Sequence, residues 1–178
     1  MSNKSVYAIA TSEGQANQIV DRLTQSGFSS NDVSVLFPDK ETTHEFSHEK
    51  NTKAPEGTVT GAATGGVLGG ALGLLAGIGA LAIPGVGPFI AAGPLLAALS
   101  GAAAGATVGG IAGGLVGLGI PELEAKRYEN RIAEGNVLIS VLAETSDEIS
   151  RAKDVLEKAG AEDISVTSVG EVAATSRA

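Results

Sequence analysis

The sequence predicts an α+β domain interrupted by a glycine-rich insertion, and three observations carry that expectation. Two matching strand-helix-strand patterns lie near the two ends of the chain. Between them, residues 57 to 121 hold no charged residue and no histidine, and most of the 25 glycines fall there. Within that stretch glycine recurs every fourth position, in two separate series.

In the first half, Val6, Ala8 and Ala10 alternate as a half-buried strand does, and Ala16, Ile19, Val20 and Leu23 mark one face of a helix. Gly27-Phe28 ends that helix, and Asp32-Val33-Ser34-Val35 opens a second strand. The second half repeats the order. Val137, Ile139 and Val141 alternate; Ile149, Ala152, Val155, Leu156 and Ala159 share a helix face; Gly160-Ala161 and Asp163-Ile164-Ser165-Val166 follow. Ser12 and Thr145 or Ser146 suit helix N-caps, and Gly27 and Gly160 suit helix ends. Two βαβ units most simply build a four-stranded antiparallel sheet with two helices on one face, the ferredoxin-like βαββαβ arrangement. Neither half buries its sheet alone, so the two are expected to close on each other as one split domain.

The insertion reads as a transmembrane helical hairpin. Its first ladder is Gly57, Gly61, Gly65, Gly69, Gly73 and Gly77, and its second is Gly101, Gly105, Gly109, Gly113 and Gly117. A four-residue period places each ladder near one face of a helix, with Val59, Val67 and Leu75 or Ile111 and Leu115 opposite. Such small-xxx-small faces let helix backbones touch inside a bilayer. Each span, 57–82 and 95–119, has about 25 residues, against about 20 needed to cross a hydrocarbon core. In water each interior glycine costs about 1 kcal/mol relative to alanine, whereas in lipid helix formation satisfies the backbone. The helix-packing residues are therefore expected to be Gly61, Gly65, Gly69, Gly73, Gly77, Gly101, Gly105, Gly109, Gly113 and Gly117. Lys50 and Lys53 before the hairpin, with Lys126, Arg127 and Arg131 after it, place both termini in the cytoplasm by the positive-inside bias. The partners implied are a lipid bilayer and other copies of the chain. A soluble oligomer of Gly/Ala-rich helices is the alternative.

The organisation expected is a first βαβ half (1–39), a polar linker (40–56), the hairpin (57–120), a linking helix with the second βαβ half (121–170), and a disordered tail (171–178). The linking helix, PELEAKRYENRIAEG, reads mostly as a solvated face whose cations can lie against anionic lipid.

Composition excludes several functions. A net charge of -8, a pI near 4.7 and no basic stripe argue against a nucleic-acid surface. Without cysteine there is no disulfide framework, thiolate nucleophile or sulfur-ligated metal. His44-Glu45-Phe46-Ser47-His48 satisfies H-E-x-x-H, but its neighbours are polar and no third ligand stands at a recognisable spacing, so it reads as a juxtamembrane linker. Glu122 with Glu124, and Asp147 with Glu148, read as helix starts rather than paired acid-base groups. No catalytic residue, cofactor, metal or small-molecule substrate is expected.

The run VYAIATSEGQANQIVDRLTQSGFSSNDVSVLFPD resembles the N-terminal domain of bacterial general-stress, heat-induced stress proteins of the YflT type. The glycine-rich double span followed by ELEAKRYENRIAEGNVLISV is similar to membrane proteins grouped with that family. The resemblance implies a stress-associated protein of the bacterial inner membrane and supplies no site residues. A ligand- or partner-sensing module coupled to the hairpin is the second functional expectation.

Overall fold

The computed structural model describes residues 4–38, 79–83, 87–92, 95 and 110–168. Its elements in chain order are β1 (Lys4–Ala10), α1 (Glu13–Gln25), β2 (Val33–Pro38), β3 (Gly79–Ile83), β4 (Gly87–Ala92), α2 (Gly110–Gly117), α3 (Glu122–Ala133), β5 (Val137–Ala143), α4 (Ser146–Lys158) and β6 (Glu162–Ser168). The strands form one sheet in the order β3-β4-β2-β5-β1-β6, with every neighbouring pair antiparallel. The four strands β2-β5-β1-β6 have the ferredoxin-like order, so the α+β reading and the split domain hold at that level. The sheet then continues past β2 into a hairpin drawn from the insertion.

That continuation corrects the first expected helix, 57–82, over its last four residues. Gly79–Ile83 is a strand, paired with Gly87–Ala92, which in turn pairs with β2 through Val35↔Ala92 to Pro38↔Phe89. Ile83, Gly87 and Pro88, which lie between the two expected spans, thus belong to paired strands of the sheet. The cause is local: Ile83 precedes Pro84 and Gly87 precedes Pro88, and a residue before proline is driven from helical to extended backbone. The unpaired edge of β2 supplies the hydrogen-bonding partner. Among the described residues no helix is long and apolar enough to cross a membrane.

The face of the sheet bearing Val6, Ala8, Val33, Val35, Ile139 and Val141 packs on α1 and α4. Ala16, Ile19, Val20 and Leu23 of α1 and Ala152, Val155 and Leu156 of α4 complete this core, as the helical periodicity predicts. Ser12 and Thr145 are the N-caps, each accepting from a backbone N–H three residues on. Gly27 and Gly160, with φ of +94° and +75°, occupy the left-handed position after each helix.

The opposite face is also covered, which the two-layer expectation omitted. Tyr7, Ile9, Leu36 and Leu138 of the sheet pack with Ile111 and Leu115 of α2 and with Ala125, Tyr128 and Ile132 of α3. The linking helix is therefore amphipathic rather than solvated all round: residues 125, 128 and 132 fall on one face at helical spacing. Its cations face carboxylates. Lys126 pairs with Glu122, Arg127 with Asp163, and Arg131 with Glu134, Glu162 and Asp163. The N-terminal end of α2 is held by α3, since the Glu129 carboxylate accepts from the Ala112 N–H at 2.7 Å.

A polar row crosses this second face. Ser34, Ser140, Tyr7 and Ser165 stand opposite one another on successive strands. Above them the Tyr128 ring lies 6.2 Å from that of Tyr7, and its hydroxyl donates to the Asp163 carbonyl at 2.8 Å and bonds with the Ser165 hydroxyl at 2.7 Å. Asp163 has a φ of 50° beside a shift of register between β1 and β6. Burial pushes the Tyr128 phenol from its usual 10.0 to about 12 and raises that of Tyr7. The folded state thus favours the protonated phenols; their contribution to stability is full below pH 10.0 and is lost as pH rises above it, for Tyr128 through about 12. The chain has 2 tyrosines, so phenolate absorbance reports on this pair alone. A spectrophotometric titration is expected to show no phenolate through pH 10 and to rise together with loss of the far-ultraviolet dichroism; a midpoint at 10 in a folded protein would exclude the buried pair.

Candidate functional site

Two regions of the described structure bear on function: the outer face of α2, where the second glycine ladder ends, and a shallow crevice between the two βαβ halves. Of the expected helix-packing residues, Gly61, Gly65, Gly69, Gly73, Gly77, Gly101, Gly105 and Gly109 lie outside the described residues. So does the His44–His48 motif. Gly113 and Gly117 lie on α2. There Ile111 and Leu115 turn inward and are fully buried, while Val116 is 43% exposed and Gly117 is exposed. A Cβ added at Gly117 would meet nothing within 4 Å. Within α2, Ile111 and Leu115 meet the sheet, while Val116 and Gly117 face outward.

The crevice follows from how the two halves repeat. In each half an N-capping hydroxyl is followed three residues later by a long side chain, Gln15 after Ser12 and Glu148 after Thr145. The Gln15 carboxamide uses both ends. Its Oε1 accepts from the Thr11 N–H at 2.7 Å, and its Nε2 donates to the Ala159 and Gly160 carbonyls at 2.9 Å each. It therefore fastens the start of α1 to the end of α4. At the opposite end of the helix pair, Glu148 accepts from the Glu144 and Thr145 N–H groups at 2.7 and 3.1 Å, which holds its carboxyl below the usual carboxylate range. An ionised carboxylate has no proton to donate onward. Arg151 makes the connection instead, donating from Nη1 to the Ser26 carbonyl at 3.0 Å with its guanidinium 5.6 Å from the centre of the Phe28 ring.

A crevice of about 210 Å³ remains beside this contact. Gly27, Phe28 and Asp32 of the first half line it, with Leu142, Glu144, Glu148 and Arg151 of the second. Three carboxylates thus stand with one guanidinium on a wall that is mostly polar. Among the described residues, no three histidine, cysteine or acidic side chains are placed to hold a metal ion. Reading Glu148 only as a helix start missed its second role as a crevice wall. The available signal was the repeated capping pattern, with glutamine in one half and glutamate in the other.

Comparison of the chain with protein-family models, with characterised proteins and with solved structures finds no match. The likeness to heat-induced stress proteins therefore rests on the sequence pattern alone.

Replacing Gln15 by glutamate removes both donated bonds and turns a carboxylate toward two carbonyl oxygens. The variant is expected to lose about 1–3 kcal/mol of stability, measured by urea unfolding, while an unchanged midpoint would show that the bridge is energetically idle.

Proposed function

We propose that this chain is a non-enzymatic, stress-associated protein that self-associates through its glycine-rich insertion and presents the ferredoxin-like domain at the cytoplasmic face of a bacterial inner membrane. The observation that carries this reading is the attachment of the insertion to the sheet at two places among the described residues: β4, carrying β3, pairs with β2, and α2 packs on the sheet through Ile111 and Leu115. The α2 ladder face, with Gly117 and Val116 outward, offers a close-approach surface for a second copy. The domain's own buried polar groups, Tyr7, Tyr128 and the serine row, are engaged in holding its layers together.

The same anchors limit how a bilayer is met. Crossing and returning takes roughly 40 residues at about 20 per span. Neither 57–78 nor 96–109 has that length, and between them β4 is paired to β2 and β3 to β4. Contact from one side, with apolar segments entering the interface, replaces the spanning hairpin in this reading. The stress association comes from the sequence resemblance.

Gly117→Leu tests the mechanism without entering the core, because its added side chain starts in open space. Combined with Gly69→Leu, it is expected to leave the melting temperature within a few degrees and to shift sedimentation velocity to a smaller species. Assemblies of unchanged size would overturn the glycine-contact mechanism. Retention of the wild-type protein on membranes, with release by carbonate, is the expected outcome for one-sided contact.

A second reading, a sensing module, is favoured by the crevice, since its walls come from both halves and an occupant would touch each. A solute that raises the melting temperature saturably is the expected sign of it.

A further inference from the structure

The sheet ends at β6, which pairs with β1 on one side and, among the described residues, with no strand on the other. Such an edge offers a row of N–H and C=O groups to a further strand, and proteins blunt it with charge, proline or a bulge. In β6 those devices are confined to its start, where Glu162, the left-handed Asp163 and the shift of register lie. From Ile164 to Ser168 there is no charge, proline or glycine, and Ile164, Val166 and Thr167 are β-branched. Val166 is 40% exposed and Ile164 is only partly buried against the core. The strand is also held firmly from α3. Tyr128 bonds to the Asp163 carbonyl and the Ser165 hydroxyl, and Arg127 and Arg131 pair with the carboxylates of Asp163 and Glu162. Its acidic side chains are thereby turned toward the helix and away from the open edge.

The edge is its own complement when read antiparallel. About a two-fold axis near Ser165, Ile164 of one copy stands opposite Val166 of the other, and the pair occurs twice. Val166 is in register with Val6, and Ile164 packs on the same core, so both apolar pairs form on the face that carries α1 and α4. Charge selects the same direction. At the start of β6 three carboxylates, of Glu134, Glu162 and Asp163, face two guanidiniums, of Arg127 and Arg131, which leaves that end acidic. At its finish Ser168 is in register with the exposed Lys4. Antiparallel pairing sets the acidic end of one copy beside the Lys4 end of the other, two strand spacings or about 10 Å away. Parallel pairing sets acid against acid and is disfavoured.

We infer that β6 is a docking edge for a second copy of this chain, pairing antiparallel with the partner's β6 so that two sheets become one. The contact goes beyond the glycine-mediated association proposed above, because it lies outside the insertion and uses none of its glycines.

The full chain has no cysteine, so a single introduced thiol reports on one position. Val166→Cys is treated with a short bismaleimide, and Lys153→Cys, on the exposed side of α4, is the control. Covalent dimer is expected to form at least tenfold faster with Val166→Cys, and to do so equally when Gly69→Leu and Gly117→Leu are added. Hydrogen exchange on the unsubstituted chain gives a second readout: alternate amides between Ile164 and Ser168 are expected to slow at least tenfold as protein concentration rises. Val166→Lys places a charge on the edge at an exposed position; it is expected to keep its melting temperature within a few degrees and to lose that concentration dependence. Equal cross-linking of the two thiols would overturn the inference. So would slow exchange that is independent of concentration, since the edge is then covered by its own chain, and so would a concentration dependence that Val166→Lys leaves intact. If the cross-link disappears with the glycine substitutions, the edge contact falls and the glycine mechanism stands; if it persists while assembly size is unchanged by them, the glycine mechanism falls and the edge contact stands.

Discussion

The central strands β1 and β5 are apolar on both faces, and this constraint organises the rest of the molecule. Every side chain from Val6 to Ala10 and from Val137 to Val141 is buried. A strand of that kind cannot lie in a sheet with one wet face, so two layers of cover are required. Helices α1 and α4 provide one. The other comes from α2 and α3, the end of the insertion and the segment that leads out of it. The insertion is thus built into the domain's hydrophobic economy, with Ile111 and Leu115 sealing Ile9 and Leu138 from water.

The first layer was legible because its signals are local. Capping residues, a helix face at 3.6-residue spacing and a terminal glycine recur in both halves, and each of those features has a short-range cause. The second layer was less so. Reading only the alternate residues of VYAIA and VLISV drew attention to one face, although the runs are nearly continuous in apolar residues and so announce burial on both. Alternating charges in α3 masked its stripe of Ala125, Tyr128 and Ile132. The strand character of Gly79–Ile83 was hidden by a glycine period that continues to Gly77, and there the prolines at 84 and 88 were the better guide. The crevice depends on contacts between residues more than a hundred positions apart, which no local pattern reports.

The repeat gives the domain a near-symmetric frame, and its departures from symmetry are chemically specific. Ser12 and Thr145, Gly27 and Gly160 preserve backbone geometry in both halves. Gln15 and Glu148 preserve the cap but not the bridge. At one end of the helix pair the Gln15 amide joins the two halves, and at the other Arg151 does so. On the sheet's other face a further asymmetry appears, where Asp163 turns its carbonyl to Tyr128 and its carboxylate to Arg127 and Arg131. That single residue joins the edge strand to α3 through both main chain and side chain.

The strand order also sets a timetable for synthesis. In the sheet β1 lies between β5 and β6, and β2 pairs with β5, so the first half has no strand of its own to pair with. At translation speeds of roughly 5–20 residues per second, the early strands wait on the order of ten seconds for their partners. During that interval the charge-free stretch is itself synthesised, before the surface that receives part of it is complete. The nascent chain is therefore most adhesive, to membranes, chaperones or its own neighbours, before the domain exists.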